Sequence, residues 1–146
     1  MSAYIPEKYR TIARERAAGL CEYCLFHESH AYFPFEIDHI ISLKHGGETE
    51  PDNLALACFF CNRNKGSDIG SVLLPSREFI RFFNPRVDRW PEHFQLEEAF
   101  IQPLTPIGEA TAKILDFNHA DRIIERQMLL AAGRFPHPEA KTIKGI

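Results

Sequence analysis

A chain of 146 residues, 45% hydrophobic, 12% aromatic and 25% charged, is long enough for one ordinary domain and is not disordered, collagen-like or low in complexity. Its net charge of −3 excludes a surface that is basic throughout, so any grip on a polyanion has to come from a local patch. No run approaches the ~18 consecutive apolar residues of a membrane span, and Met1-Ser2-Ala3-Tyr4 lacks the charged start and apolar core of a secretion signal, so the expectation is a single cytoplasmic domain over 1–146 with no membrane association.

Pro6 to Ala18 reads as a helix, with Pro6 suited to a first turn, Tyr9, Ile12, Ala13, Arg16 and Ala17 at helical spacing, and Gly19 as a stop. Phe33 to Ile41 is rich in strand formers. Gly46-Gly47 and Glu50-Pro51-Asp52-Asn53 mark turns before a short apolar run, Leu54 to Ala57. After Cys61, Asn62-Arg63-Asn64-Lys65 reads as a short helix ended by Gly66. Strand or loop material then continues through Phe79–Phe83 and Phe94–Leu96. Two helices follow, about Ile107 to Phe117 and Ala120 to Ala132, the second with Ile123, Ile124, Met128 and Leu129 at core spacing. From Pro136-His137-Pro138 the chain is expected to be a loose tail. Charge shifts along the chain: residues 21–60 hold one basic and seven acidic residues, and residues 61–90 hold six basic and three acidic.

All four cysteines fall in two identical pairs, Cys21-Glu22-Tyr23-Cys24 and Cys58-Phe59-Phe60-Cys61. A C-x-x-C loop presents two thiolates to one tetrahedral ion, and two such loops close a four-sulfur shell of the structural zinc type. Disulfides are disfavoured where no secretion signal is seen. A local site of Cys21, Cys24, His27 and His30 competes, but it would orphan Cys58 and Cys61. The 33 residues between the pairs exceed ordinary zinc-ribbon spacing, so folded structure is expected between the knuckles.

Asp38-His39 lies between the pairs, Asn53 follows a turn, and Asn62, Arg63 and Lys65 come after Cys61. Singly these are ordinary: a surface acid, a core histidine, a turn residue, a helix cap and solvated helix charges. Together they place an acid, a base and an amide on elements that a zinc clip draws close. Neighbouring strand residues point to opposite faces, so convergence of Asp38 and His39 calls for irregular backbone there. Arg77, Arg81, Arg86 and Arg89, interleaved with Phe79, Phe82, Phe83 and Trp90, read either as a backbone-tracking groove or as core aromatics with salt-bridged arginines.

The stretch Cys21-x-x-Cys24, Glu36-Ile37-Asp38-His39-Ile40-Ile41, Gly46-Gly47, Asp52-Asn53-Leu54, Cys58-x-x-Cys61-Asn62 and Lys65-Gly66 resembles the HNH endonuclease family, in its four-cysteine branch. The resemblance covers residues 21–66. It implies an α+β protein with a ββα-metal (His-Me finger) core, a four-cysteine zinc clip, an amino-terminal helix and a carboxy-terminal helical extension over 70–135. It further implies His39 as general base, Asp38 and Asn62 as ligands of a catalytic divalent ion, and Asn53 as the residue orienting the His39 loop. Many family members have histidine where this chain has Asn62, which makes it an H-N-N variant.

The chemistry asks for the same residue types. Phosphodiester hydrolysis needs an activated water, and histidine accepts a proton at neutral pH. A carboxylate and an amide oxygen are hard ligands that favour Mg2+ or Mn2+. Arg63 and Lys65 are candidates for phosphate contacts. The first expectation is a metal-dependent endonuclease of double-stranded DNA, for which a homodimer would suit paired cuts; the family resemblance implies products with 5′-phosphate and 3′-hydroxyl ends. The alternative is a non-catalytic, zinc-scaffolded nucleic-acid-binding module, and a purely structural zinc protein is a third.

Overall fold

Helix α1 (Glu7–Ala17) starts after Pro6 and ends at Ala18, which adopts the left-handed conformation with φ 52° and donates its N–H back to Glu15 O. In a computed structural model describing residues 4–146, α1 lies against a two-stranded antiparallel ladder of β1 (Glu36–His39) and β2 (Leu54–Ala57). The residues read for a secretion signal, Met1–Ala3, fall outside the described ones. β2 is buried on both faces, as its uninterrupted Leu-Ala-Leu-Ala run requires. Helix α2 (Phe59–Lys65) follows directly, completing a strand, loop, strand and short helix as the sequence predicts.

Strands β3 (Gly70–Leu73) and β4 (Glu78–Arg81) form a second hairpin, and β5 (Phe94–Glu97) and β6 (Phe100–Pro103) a third, with the short helix α3 (Trp90–His93) between them. Isolated two-stranded hairpins are marginal in water. Here α4 (Pro106–Ile114) packs across β3, β4 and β6. Helix α5 (Ala120–Ala131) and helix α6 (Pro138–Lys144) close the chain. One cluster of buried apolar side chains runs from Ile5 through Tyr23, Leu54, Leu56, Phe83, Trp90 and Phe117 to Ala140. Trp90 donates its indole N–H to Tyr23 O at 2.9 Å, which satisfies the one polar atom of a buried ring.

Three expectations are corrected. The tail is helical from Pro138, because His137 caps α6 by accepting the Glu139 N–H at 3.1 Å. Helix α5 does not bury the apolar stripe: Ile124 and Met128 are 52% and 69% exposed, and its buried residues are Arg122 and Arg126, which face sulfurs and backbone carbonyls. The backbone at Asp38-His39 is regular, with Asp38 opposite Ala55 and His39 opposite Leu54. Both residues nevertheless line one hollow.

Candidate functional site

The two cysteine pairs fold into the same local shape. Cys21 Sγ accepts the Cys24 N–H at 3.5 Å, and Cys58 Sγ accepts the Cys61 N–H at 3.4 Å, so each knuckle turns two sulfurs to one side. All four thiols are buried and their sulfurs lie within 4.8 Å of one another. Burial pushes the Cys21 and Cys61 thiols up, whereas hydrogen bonds from the other three sulfurs hold Cys24 well down. Four unbridged sulfurs converging in a closed, dry space fit a structural zinc ion. Of the two histidines of the competing site, His27 stacks on His137 with ring centroids 3.7 Å apart, and His30 meets Phe26 edge to face at 6.5 Å.

Between the knuckles, Asn53 fixes the loop after β1. Its Oδ1 accepts the Ile41 N–H, and its Nδ2 donates to Ile41 O and Glu48 O, all at 2.9 Å. Asn53 O also accepts the Ile40 N–H. A side-chain amide thus continues the ladder where β2 runs out. Gly47 is placed by the same clamp, since a Cβ there would collide with Ile41 O and lie 2.8 Å from Asn53 Nδ2.

Asp38, His39 and Asn62 line one open hollow of about 580 Å3, together with Ser42, Leu43 and Gly66. Asp38 is 5% exposed. Its Oδ2 accepts the Tyr23 hydroxyl at 2.7 Å and lies 3.1 Å from Lys65 Nζ, which also donates to His39 O at 3.0 Å. Burial raises the Asp38 pKa, with Lys65 and Tyr23 working against it. His39 Nε2 lies 2.9 Å from Thr49 Oγ1. Burial lowers the His39 pKa below its ordinary 6.5, opposed by Asp38 and assisted by Lys65, so the ring is neutral at neutral pH.

The remaining candidates divide. Asn53 lies behind the loop. Arg63 sits over the Phe59 ring at 5.8 Å, on the helix that carries Asn62. Lys65 is 1% exposed, so the phosphate contact expected of it is replaced by the buried pair with Asp38. Arg81 pairs with Asp88, and Arg86 pairs with the buried Glu22, while Phe82, Phe83 and Trp90 are core, which is the second of the two readings for these residues; Phe79 is exposed. Tyr23, Thr49 and Arg122 are missed by sequence reasoning. Tyr23 sits inside a C-x-x-C whose thiols draw the eye, and nothing in a Gly-Gly-Glu-Thr turn marks Thr49 as a partner of His39.

No curated protein and no solved structure matches the chain. Residues 21–68 match the family model described as HNH endonuclease. That span starts at the first knuckle and ends three residues past Lys65, and so takes in the thiol cluster, the Asn53 clamp and Asp38, His39 and Asn62: residues 21–68 carry an HNH domain whose four cysteines are positioned to bind a metal ion, consistent with the zinc-type branch.

Proposed function

We propose that the domain is a metal-dependent endonuclease that hydrolyses phosphodiester bonds of double-stranded DNA, with His39 as general base. The observation that carries the reading is the meeting of Asp38, His39 and Asn62 in one open hollow, on elements anchored by the thiol cluster. In the tautomer that donates Nε2–H to Thr49, the His39 Nδ1 lone pair is available to take a proton from water. Asn53 keeps that ring in place through Ile41, two residues on.

The donor set fits a hard divalent ion. Asp38 offers roughly four lone-pair sites, of which Tyr23 and Lys65 engage part, and the Asn62 side-chain amide makes no hydrogen bond among the described residues. Asp38 and Asn62 would hold Mg2+ or Mn2+, which offsets charge on the phosphate and leaving oxygen when bound. Asn62 in place of histidine keeps the pair all-oxygen. Arg63, next to Asn62 and unlike Lys65 not buried, is the residue for a phosphate contact. We read residues 1–146 as one domain, with 21–66 as the nuclease core and 70–135 packed on it; the Trp90 to Tyr23 and Asn64 to Leu115 hydrogen bonds support this.

Plasmid nicking in Mg2+ or Mn2+ tests the proposal. The parent should nick and His39→Ala should not, and equal cleavage by both removes His39 from the role. One observation favours a non-catalytic nucleic-acid-binding module: the Asp38 carboxylate already has a cation, Lys65, against it. That reading expects DNA binding without nicking at any divalent-ion concentration.

A further inference from the structure

Four thiolates around one Zn2+ leave a net charge of −2, and a buried charge needs a partner. The partner is on the carboxy-terminal side of the chain. Arg122 Nη2 lies 3.2 Å from Cys61 Sγ and 3.7 Å from Cys58 Sγ. Its Nη1 donates to Leu115 O at 2.8 Å and Asp116 O at 3.0 Å, and the guanidinium carbon sits 5.7 Å from the Phe60 ring centroid and 5.9 Å from that of Phe117. The fork is therefore aimed and cannot swing away.

One turn later, Arg126 supplies an internal contrast. It is 1% exposed and donates to Ala99 O, Phe117 O and Asn118 Oδ1, and it has no hydrogen bond to sulfur among the described residues. Both arginines of this helix face are thus turned to the interior, 8% and 1% exposed, and of the two only Arg122 donates to sulfur, Arg126 facing the thiols from further away. Cys58, the most exposed of the four thiols at 5%, shares an apolar hollow of about 320 Å3 with Arg122, Phe60 and Met128.

We propose that Arg122 is the outer counter-charge of the metal–thiolate cluster, donating hydrogen bonds to Cys61 and Cys58 so that metal retention depends on α5, outside the matched span 21–68. Thiolates that accept such bonds are harder to protonate, and protonation is how acid displaces the ion. The inference rests on the zinc reading, which metal analysis of the parent tests separately: less than one zinc per chain would sink the zinc reading itself.

The experiment uses the full zinc-loaded chain and compares Arg122→Met with Arg126→Met. Arg122→Met should transfer zinc to a chromogenic chelator at least about tenfold faster than the parent and lose zinc at a higher pH on acid titration. With Co2+ in place of zinc, its sulfur-to-cobalt charge-transfer band should shift. Arg126→Met should lower the melting temperature, leave the band where it is and move the acid midpoint less than Arg122→Met does. Equal zinc release by Arg122→Met and parent, or equal acceleration by both variants, overturns the proposal. A measurement on the parent covers the case in which Arg122→Met does not fold. With NMR-active cadmium bound, a scalar coupling should connect the metal to an Arg122 Hη proton through Cys61 Sγ, and its absence also overturns the proposal.

Discussion

Lys65 Nζ stands 3.1 Å from Asp38 Oδ2, with side chains 1% and 5% exposed, across 27 residues of sequence. A buried ion pair contributes little beyond an apolar pair of the same shape, but removing one partner strands the other. Lys65→Met should therefore destabilise the fold by about 3–5 kcal/mol in urea titration, and adding Asp38→Asn should restore part of that. No restoration would mean that the two charges are not coupled. The same burial predicts that Lys65 contributes nothing to phosphate binding. In the folded double variant, the slope of log Kd against log salt for duplex DNA should be unchanged, while Arg63→Ala should lower it by about one.

Asn53 makes three side-chain hydrogen bonds at 2.9 Å to the loop following His39. Asn53→Ala leaves two carbonyls and one N–H to find water, which costs about 1–3 kcal/mol. On the proposed mechanism, in which the loop positions His39 and does not grip the substrate, nicking activity should fall much further than DNA affinity. Asn53→Asp retains the acceptor toward Ile41 N–H but offers no donor, and should behave like the alanine variant. A loss of affinity equal to the loss of rate would make Asn53 a binding residue.

Local signals made much of this molecule legible. Cysteine spacing located the clip, Pro6 and Gly19 bracketed α1, and Leu54–Ala57 proved to be β2 with the ends as read. Misread features depend on distant charge. Lys65 looks like a solvated helix end until Asp38 is brought to it. On α5, spacing rules count Ile124 and Met128 toward a core face, but the Cys61 thiol, 61 residues before Arg122, draws the arginine face inward. No pattern along one helix carries that information.

The stacked pair His27 and His137 should make α6 sensitive to pH. His137 Nδ1 accepts the Glu139 N–H, which only the neutral ring can do, and His27 Nδ1 accepts the Ser29 N–H while its Nε2 lies 3.1 Å from Ala18 O. Burial and the adjacent His27 lower the His137 pKa, with Glu139 opposing. The unfolded chain then binds more protons than the folded one below the unfolded value of about 6.5. Stability should fall as pH drops through 6.5 toward the folded pKa and level off beneath it. Hydrogen exchange of the α6 amides should quicken between about pH 7.5 and 5.5. His137→Asn, which can still cap, should flatten the change; an unaltered profile would assign the pH effect to another group.

Metal removal should be a folding event. The knuckles join α1, β2 and α2, and Cys58 both closes the sulfur cluster and caps α2. Cys58→Ser, or prolonged exposure of the parent to a strong chelator, should abolish the cooperative thermal transition and expose the apolar core. Recovery of the circular dichroism spectrum on returning zinc separates this from irreversible damage. An unchanged spectrum after measured zinc loss would show that the core holds without its clip.

Gly47 offers a test of the loop that leaves every charged and metal-binding group in place. A Cβ at this position would overlap Ile41 O and press on Asn53 Nδ2, both backbone-anchored parts of the clamp. The neighbouring Gly46, at φ 88°, has open space around its missing Cβ, so its constraint is conformational. Gly47→Ala must therefore push the Ile41 carbonyl away or break the Asn53 bond. Either movement is passed to His39, whose ring is tied to Thr49 two residues further along the same loop. The expected result is a folded protein that retains zinc, melts a few degrees lower and nicks DNA at least about tenfold more slowly, as small displacements of a base from its near-attack position do. Gly46→Ala should cost stability through strain but should not mimic that rate loss. If Gly47→Ala nicks at the parent rate, the loop does not position His39, and the clamp by Asn53 has only a structural role.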